Sequence, residues 1–297
     1  MIKFHEPVLV EETIRFLNVR KGKRYIDTTI GGGGHSEQIL RKGGQVLGID
    51  WDPQALAFSR KRLVSACPPS AFYWKLERGN FAHLNDLACR CGFNQVAGIL
   101  FDLGVSLYQL KTSGRGFSFQ DDDFLDMRMN PELGITASDL INHLSEKELK
   151  KLFSEFGQES FSAPIARAVC RYRKKKPIER SSDLAKIIRK VIPASRVKRT
   201  RHPATRCFQA LRMVVNNELE NLSQGLSQTL GLLEKGGRLV VISFHSLEDR
   251  LAKDFFRQES KLNNLIVLTK KPIEPSRLER EKNPRSRSAK LRAAQKN

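Results

Sequence analysis

Apolar and polar positions change their period several times along the chain. Short β-branched runs alternate with helix-spaced ones through the first hundred residues: "RYIDTTI", then "HSEQILRKG", then "GQVLGID", then "PQALAFSRKRLVSA" opened by Pro53. "AFYWKL", "FAHLNDLACRCG" and "VAGILFDLG" repeat the alternation as strand, helix and strand. Such alternation predicts an α/β fold, because consecutive strand, helix, strand units close right-handed into one parallel sheet. After Gly104 the rhythm breaks, and "TASDLINHLSEKELKKLF", "FSAPIARAVCRYRKKK" and "SDLAKIIRKVI" all carry helical spacing. "GGRLVVISF" then reads as a buried strand, "EDRLAKDFFRQ" as a helix and "LIVLTK" as a further strand. A doubly wound sheet interrupted by a helical insertion accounts for this order. The expected core comprises residues 1–105 and 207–297, and the expected insertion 106–206.

Between the first strand and the first helix stand four consecutive glycines, Gly31 to Gly34. A glycine-rich turn there lets backbone N–H groups and a helix N-terminus approach a ligand with no Cβ in the way, although a tight turn alone would also use glycine. Two acids strengthen the ligand reading. Asp50 ends the second strand, 18 residues after Gly32, where such folds place a ribose-binding carboxylate. Asp102 ends the fourth strand at "LFD", beside the same crevice. The spacing G-x-G-x-x-G is not met, since Ser36 and Glu37 stand where the third glycine would be, and no G-K-[ST] follows for a P-loop. An adenosine ligand without a pyrophosphate remains, and S-adenosylmethionine is the common one.

Charge adds a partner. The chain has 297 residues and a net charge of +20, and two segments hold all of it. Pro164 to Arg206 has 15 Lys/Arg against 2 acids, and Leu265 to Asn297 has 10 against 3, giving +13 and +7. A neutral body with concentrated basic stretches suits a polyanion, since neutralising phosphates releases counterions. Solvated faces and flexible tails are the alternative for such runs. The five cysteines are scattered without C-x-x-C pairing, so neither a zinc site nor a disulfide framework is expected. No apolar run reaches the roughly 20 residues of a membrane span, and the N-terminus lacks the apolar core of a signal peptide, so the expected location is the cytoplasm.

The segments "HEPVL", "DTTIGGGGHS", "GIDWDP", "LFDLGVS", "RGFSF", "LDMRM", "HPATRCFQALR", "VNNEL", "GGRLVVISFHSLEDR" and "NPRSRSAKLR" occur here in this order. Together they resemble the bacterial ribosomal RNA small subunit methyltransferase H family over nearly the whole chain. The resemblance implies a class I, Rossmann-like methyltransferase core with an inserted helical domain. It implies an enzyme that uses S-adenosylmethionine to methylate N(4) of one cytidine in the decoding centre of 16S rRNA. The partner would be 16S rRNA within the small ribosomal subunit or a late assembly intermediate, and the enzyme a monomer or homodimer that touches no membrane. Carried over by motif, Gly33, Gly34, His35, Asp50, Phe81, Asp102 and Gln109 would contact the cofactor. The chain departs from the family pattern with Leu107 and Tyr108 in place of Ser-Pro beside Gln109, with Phe124 in place of a proline, and with Gln158 in place of a glutamate.

Transfer from a sulfonium is a direct displacement, so orientation of nucleophile, methyl and sulfur supplies much of the rate and no covalent residue is required. A cytosine amino group attacks poorly unless an acceptor takes its N–H. Candidates are the carbonyls from Asp102 to Val105 or the Asp102 carboxylate itself, because "DLGVS" stands where other amino methyltransferases carry a proline-rich motif. His245 in "SFHSLEDR" is the second catalytic candidate, with a hydrogen-bonded structural role as its alternative. Ser246 and Asp249 have the spacing of a helix capping box. For RNA, Arg115 and Phe117 of "RGFSF" combine a cation with a stackable ring, although such phenylalanines are often buried. Arg173, Lys174, Lys175, Arg199 and Arg201 in the insertion, and Arg285 and Arg287 near the C-terminus, are the phosphate candidates, although the stretch holding the last two also suits a closing strand. Phe208, Leu211, Val215, Leu219 and Leu222 form an apolar helical stripe, while Gln209, Arg212 and Asn216 share another face, ordinarily a solvated one, which the resemblance implies lines the active site.

Two other classes share some of these features. A methyltransferase for a protein or small molecule would share the glycine loop, and a non-catalytic RNA-binding protein would share the charge. Methyl transfer separates an enzyme from the latter, and a substrate panel separates the two enzymes.

Overall fold

The computed structural model describes residues 7–105, 114–119, 122–196 and 202–297. They divide into two compact units, residues 1–106 with 219–297, and residues 107–218.

The first unit is built on seven strands: β1 (Arg24–Asp27), β2 (Gln45–Asp50), β3 (Trp74–Arg78), β4 (Val96–Asp102), β5 (Leu233–Ser243), β6 (Leu265–Val267) and β7 (Lys290–Lys296). Their order across the sheet is β3-β2-β1-β4-β5-β7-β6. All neighbouring pairs from β3 to β5 are parallel, and β7 runs antiparallel to both β5 and β6. The strand order reverses between β1 and β4, which places a crevice outside the carboxyl ends of these strands, the usual ligand position in such sheets.

Helices α1 (Val10–Leu17), α2 (Gly34–Arg41), α3 (Pro53–Ala66) and α4 (Leu84–Cys91) follow in the first half of the chain. Two-residue alternation in the strands builds a core on each face of the sheet. Ile99, Phe101, Leu239 and Val241 pack with Leu84 and Leu87 of α4 on one face. Leu100, Val240 and Ile242 pack with Leu17, Ile39 and Leu63 of α1, α2 and α3 on the other. The sheet is therefore doubly wound, as the sequence pattern predicts.

The C-terminal stretch "NPRSRSAKLR" resolves into a 3-10 turn at Pro284–Ser288 followed by β7, which inserts between β5 and β6. Arg292 of β7 is buried, and its Nε donates to Asp249 Oδ1 at 2.6 Å. Part of the expected basic tail is thus sheet interior.

The second unit is helical: α5 (Ala137–His143), α6 (Glu146–Glu155), α7 (Ser162–Arg173), α8 (Ser181–Val191) and α9 (Thr205–Val215). Thr136 with Asp139 and Ser145 with Glu148 form reciprocal capping boxes that start α5 and α6. The sequence expectation closed the insertion at Arg206, whereas this unit runs to Glu218 because α9 packs on α5 and α6. The apolar stripe expected over one helix is divided between α9 and α10 (Glu218–Leu232) by a turn in which Asn217 takes φ +49°. Asn216 caps α9 and is buried, so the polar face expected for it is not a solvated one. Its Oδ1 accepts from Met129 N at 2.7 Å, and its Nδ2 donates to the carbonyls of Met127 and Arg212, both at 2.8 Å.

Among the described residues no helix is long and apolar enough to cross a membrane.

Candidate functional site

Three carboxylates converge on the turn between β1 and α2, each placed by a strand end. Asp27 closes β1, Asp50 closes β2 and Asp102 closes β4. The turn they surround is stitched to its neighbours. Thr28 N and its hydroxyl both donate to Leu100 O at 2.9 Å, and Asp102 N donates to Thr29 Oγ1 at 2.7 Å. Ile30 N donates to Ile49 O at 2.8 Å. Asp50 joins the glycine loop to the next turn, since Oδ2 accepts from Gly31 N and Oδ1 from Asp52 N, both at 2.9 Å.

Gly31 and Gly33 take the left-handed backbone, with φ of +49° and +74°, which glycine adopts without steric cost. Gly34 needs to be glycine for its neighbour. A Cβ there would lie 2.7 Å from Pro7 Cγ, so the group that approaches this glycine is the segment before α1. That segment runs across the loop. Pro7 covers Gly34, Val8 O lies 2.9 Å from His35 Nε2, and Leu9 N donates to Glu279 Oε1 at 2.8 Å.

His35, expected as a cofactor contact, is 4 % exposed and sits between Val8 O and Asp102, with Nδ1 3.3 Å from Asp102 Oδ2. Burial alone would lower its pKa, but the hydrogen bond and charge of Asp102, with Asp27 and Val8 O nearby, outweigh that and raise it. Asp27 is buried and accepts from Ser36 Oγ at 2.7 Å. Desolvation raises its carboxyl to about 6, against the opposing pull of His35 and Ser36. Asp50 is half-buried, and desolvation raises it to about 7 although the N–H groups of Asp52 and Gly31 favour the anion. Among the described residues Asp102 Oδ1 is buried without a hydrogen-bond partner. A buried carboxylate oxygen left unpaired is costly and marks a place where a ligand donor fits.

Phe81 follows the Asn80 cap, is half-buried and meets Phe101 edge to face at 5.5 Å between ring centroids. Glycine backbone, a carboxylate at Asp50, an apolar ring at Phe81 and an unpaired carboxylate oxygen at Asp102 together suit a nucleoside ligand bearing a cationic centre. Sequence reasoning missed Asp27, Thr29 and the Pro7 to Leu9 segment. Asp27 could have been found by the strand-end rule that picked Asp50 and Asp102.

His245 is the N-cap of α11 (Ser246–Lys261). Its Nδ1 accepts from Glu248 N at 3.3 Å, while Glu248 Oε2 accepts from Phe244 N at 2.8 Å and from His245 N at 3.3 Å. The capping box is therefore His245 with Glu248, one residue ahead of the expected Ser246 and Asp249. Asp249 instead pairs with Arg292 at 2.6 Å and Lys290 at 3.4 Å. His245 Nε2 lies 3.1 Å from Glu248 Oε1 but outside hydrogen-bonding geometry. In this arrangement His245 starts a helix.

The RNA candidates fall into three groups. Lys174, Lys175 and Arg287 are exposed. Arg285 is half-buried, its Nη1 has no partner among the described residues, and desolvation lowers its pKa. Arg173, Arg115 and Arg212 hold structure. Arg173 donates to the carbonyls of Ile141 and Leu144, Arg115 to those of Arg128 and Met129, and Arg212 clamps Glu218 through contacts of 2.7 and 2.8 Å. Phe117 is buried under the Arg115 guanidinium, 5.6 Å from its ring centre. Gln109, Arg199 and Arg201 lie outside the described residues.

Residues 2–297 match the model of the MraW methylase family. The chain is similar to proteins named ribosomal RNA small subunit methyltransferase H. It is 46 % identical to that of Carboxydothermus hydrogenoformans, covering 98 % of this chain and 97 % of that one. It is 45 % identical to that of Syntrophobacter fumaroxidans, covering 98 % and 96 %. A solved rRNA methylase from Streptococcus thermophilus superposes with a TM-score of 0.45 at 12 % identity, over 100 % of this chain and 98 % of that one.

Proposed function

Because the chain belongs to the MraW methylase family, we propose that it transfers a methyl group from S-adenosylmethionine to N(4) of a specific cytidine in the decoding centre of 16S rRNA. The observation that carries this reading to the level of chemistry is the unpaired Asp102 Oδ1 at the end of β4, beside the glycine loop. Residues suited to hold the cofactor are the loop from Gly31 to Gly34, Asp50 for the ribose hydroxyls and Phe81 for an apolar face. When bound, S-adenosylmethionine supplies an electrophilic methyl on a positively charged sulfur.

The protein's own part is orientation and proton acceptance. The stitched loop and the paired Asp50 fix backbone and carboxylate in advance, so little is left to organise during reaction. Asp102 Oδ1 accepts one N–H of the cytosine amine, which draws the nitrogen lone pair out of the ring and toward the methyl carbon. The methyl carbon would come from the bound cofactor, whose sulfur would retain the bonding electron pair, so the chain itself has the amine proton to remove. The amine proton passes to Asp102 and then to water. The negative charge of Asp102 also favours the amine as it becomes cationic.

Exposed lysines in the second unit and Arg285 and Arg287 in the first supply phosphate contacts, consistent with the concentrated positive charge. A base turned out of its stack costs least when it is already single-stranded or mismatched. The setting implied for this work is the small ribosomal subunit or a late assembly intermediate in the cytoplasm.

The test is transfer of labelled methyl to small subunits from a strain lacking the gene, with the modified nucleoside identified by mass spectrometry. Label on N(4) of a single cytidine is the expected result. Label on another base, or none on subunits and naked rRNA while the cofactor binds, would overturn the substrate assignment.

A further inference from the structure

Among the described residues both ring nitrogens of His35 face acceptors. Nε2 lies 2.9 Å from the carbonyl oxygen of Val8, and Nδ1 lies 3.3 Å from Asp102 Oδ2. A neutral imidazole carries one N–H, so it would turn a lone pair toward one of these oxygens inside a site where the ring is 4 % exposed. The doubly protonated ring gives each oxygen a donor. A buried cation needs nearby negative charge, and two carboxylates face it from different strands, Asp102 from β4 and Asp27 from β1. On its own helix, Ser36 Oγ donates to Asp27 Oδ2 at 2.7 Å, which holds that carboxylate in its anionic orientation. Val8 O completes the set from the segment before α1.

We infer that His35 is a positioning residue, kept as an imidazolium between Val8 O and Asp102, that fixes Asp102 Oδ2 and thereby presents the unpaired Oδ1 to the cytosine amine. The inference rests on the proposed role of Asp102 as proton acceptor, but the state of the ring is a property of the free protein. The imidazolium does not accept the amine proton, because both of its nitrogens already carry one. Its work is to give Asp102 Oδ2 a fixed donor, which stops the carboxylate rotating onto another one and keeps Oδ1 turned toward the substrate. A role limited to bridging β4 and the N-terminal segment would need two donors but no charge. Glutamine keeps an uncharged N–H donor at one end of its carboxamide, so it retains part of the bridge without the charge.

Two readouts separate the possibilities. Protein labelled with nitrogen-15 histidine and free of ligand should show two ring N–H signals for His35 at pH 8, where an ordinary imidazole is neutral. Asp102→Asn should abolish one of them. One ring N–H in the wild-type protein at that pH overturns the inference, whatever the enzyme's activity. In methyl transfer, His35→Gln should lower kcat at least tenfold with little change in the KM for S-adenosylmethionine. It should also change the pH profile of kcat, which loss of a merely bridging ring would leave as it is. A His35→Gln enzyme with the wild-type profile would show that the ring only bridges. Should His35→Gln fail to fold, the wild-type spectrum still decides the charge state, and His35→Asn offers a smaller amide for the kinetic test. Two N–H signals in a protein that methylates no cytidine would leave the ring's state intact and place the fault in the substrate assignment.

Discussion

Pro7 packs on Gly34 so closely that a Cβ on the glycine would stand 2.7 Å from Pro7 Cγ. Gly34 opens α2, and the residue after Pro7 supplies the carbonyl that meets His35. A glycine within the proposed cofactor loop is thus also the seat of a distant segment.

Gly34→Ala should therefore destabilise the protein by about 1–3 kcal/mol, the usual range for overpacking a filled site. The proline ring cannot swing aside as a flexible side chain would. Urea unfolding of the ligand-free protein would measure it, and an unchanged midpoint would mean that the segment yields freely. Displacing Val8 with Pro7 should also weaken the contact at His35.

Asp50 gives a pH dependence with a definite sign. Its carboxyl is raised to about 7 in the folded chain, against 3.8 for the ordinary group. Between those values the folded chain keeps a proton that the unfolded chain has released, so stability from this group is present at low pH and is lost as pH rises through about 7. Asp27, raised to about 6, acts in the same direction over a narrower window. Each group changes the stability by about 1.4 kcal/mol per pH unit at most. Cofactor affinity should run the opposite way, because ribose hydroxyls donate to the ionised Asp50. Calorimetric titration with S-adenosylhomocysteine should show tightening from pH 6 to about 7.5, with proton release, and a flatter profile for Asp50→Asn. Equal slopes for both proteins would remove Asp50 from the ribose contact.

Strand periodicity made the sheet legible, and strand ends made Asp50 and Asp102 legible, because both depend on local pattern. What the pattern could not carry was contact across the chain. His35 was read as a cofactor residue, and nothing near it in sequence announces Val8 or Asp102 as its partners. The α9–α10 break was hidden because apolar spacing continues from Leu211 to Leu222 across it, while asparagine tolerates the left-handed backbone found at Asn217. The capping box was placed one residue late because Ser and Asp are common capping types, whereas a histidine accepting through Nδ1 is less familiar. Arg173 and Arg285 looked alike in sequence, and only their surroundings tell them apart.

Those two arginines should behave differently on substitution. Arg285→Gln removes a half-buried guanidinium whose Nη1 has no partner among the described residues, so the protein should keep or slightly gain stability. Its affinity for rRNA should fall, with a salt slope shallower by about one. Arg173→Gln removes donors to two carbonyls that cap the turn after α5, and should lower the melting temperature while leaving the salt slope unchanged. Filter binding over a salt series, paired with thermal melts, would distinguish them, and a reversed pattern would reassign both.

Asp102 bears most of the proposed chemistry, so a single-turnover comparison of wild-type and Asp102→Asn enzyme is the decisive measurement, made with saturating labelled S-adenosylmethionine on small subunits lacking the modification. Asparagine keeps the shape but cannot take a proton. If Asp102 accepts the amine proton, transfer to cytidine N(4) should slow by about 10²–10⁴-fold in the variant, at cofactor concentrations verified to fill the site. Transfer at the wild-type rate, with cofactor binding confirmed in the same preparation, would contradict that role and turn attention to the carbonyls between Asp102 and Val105.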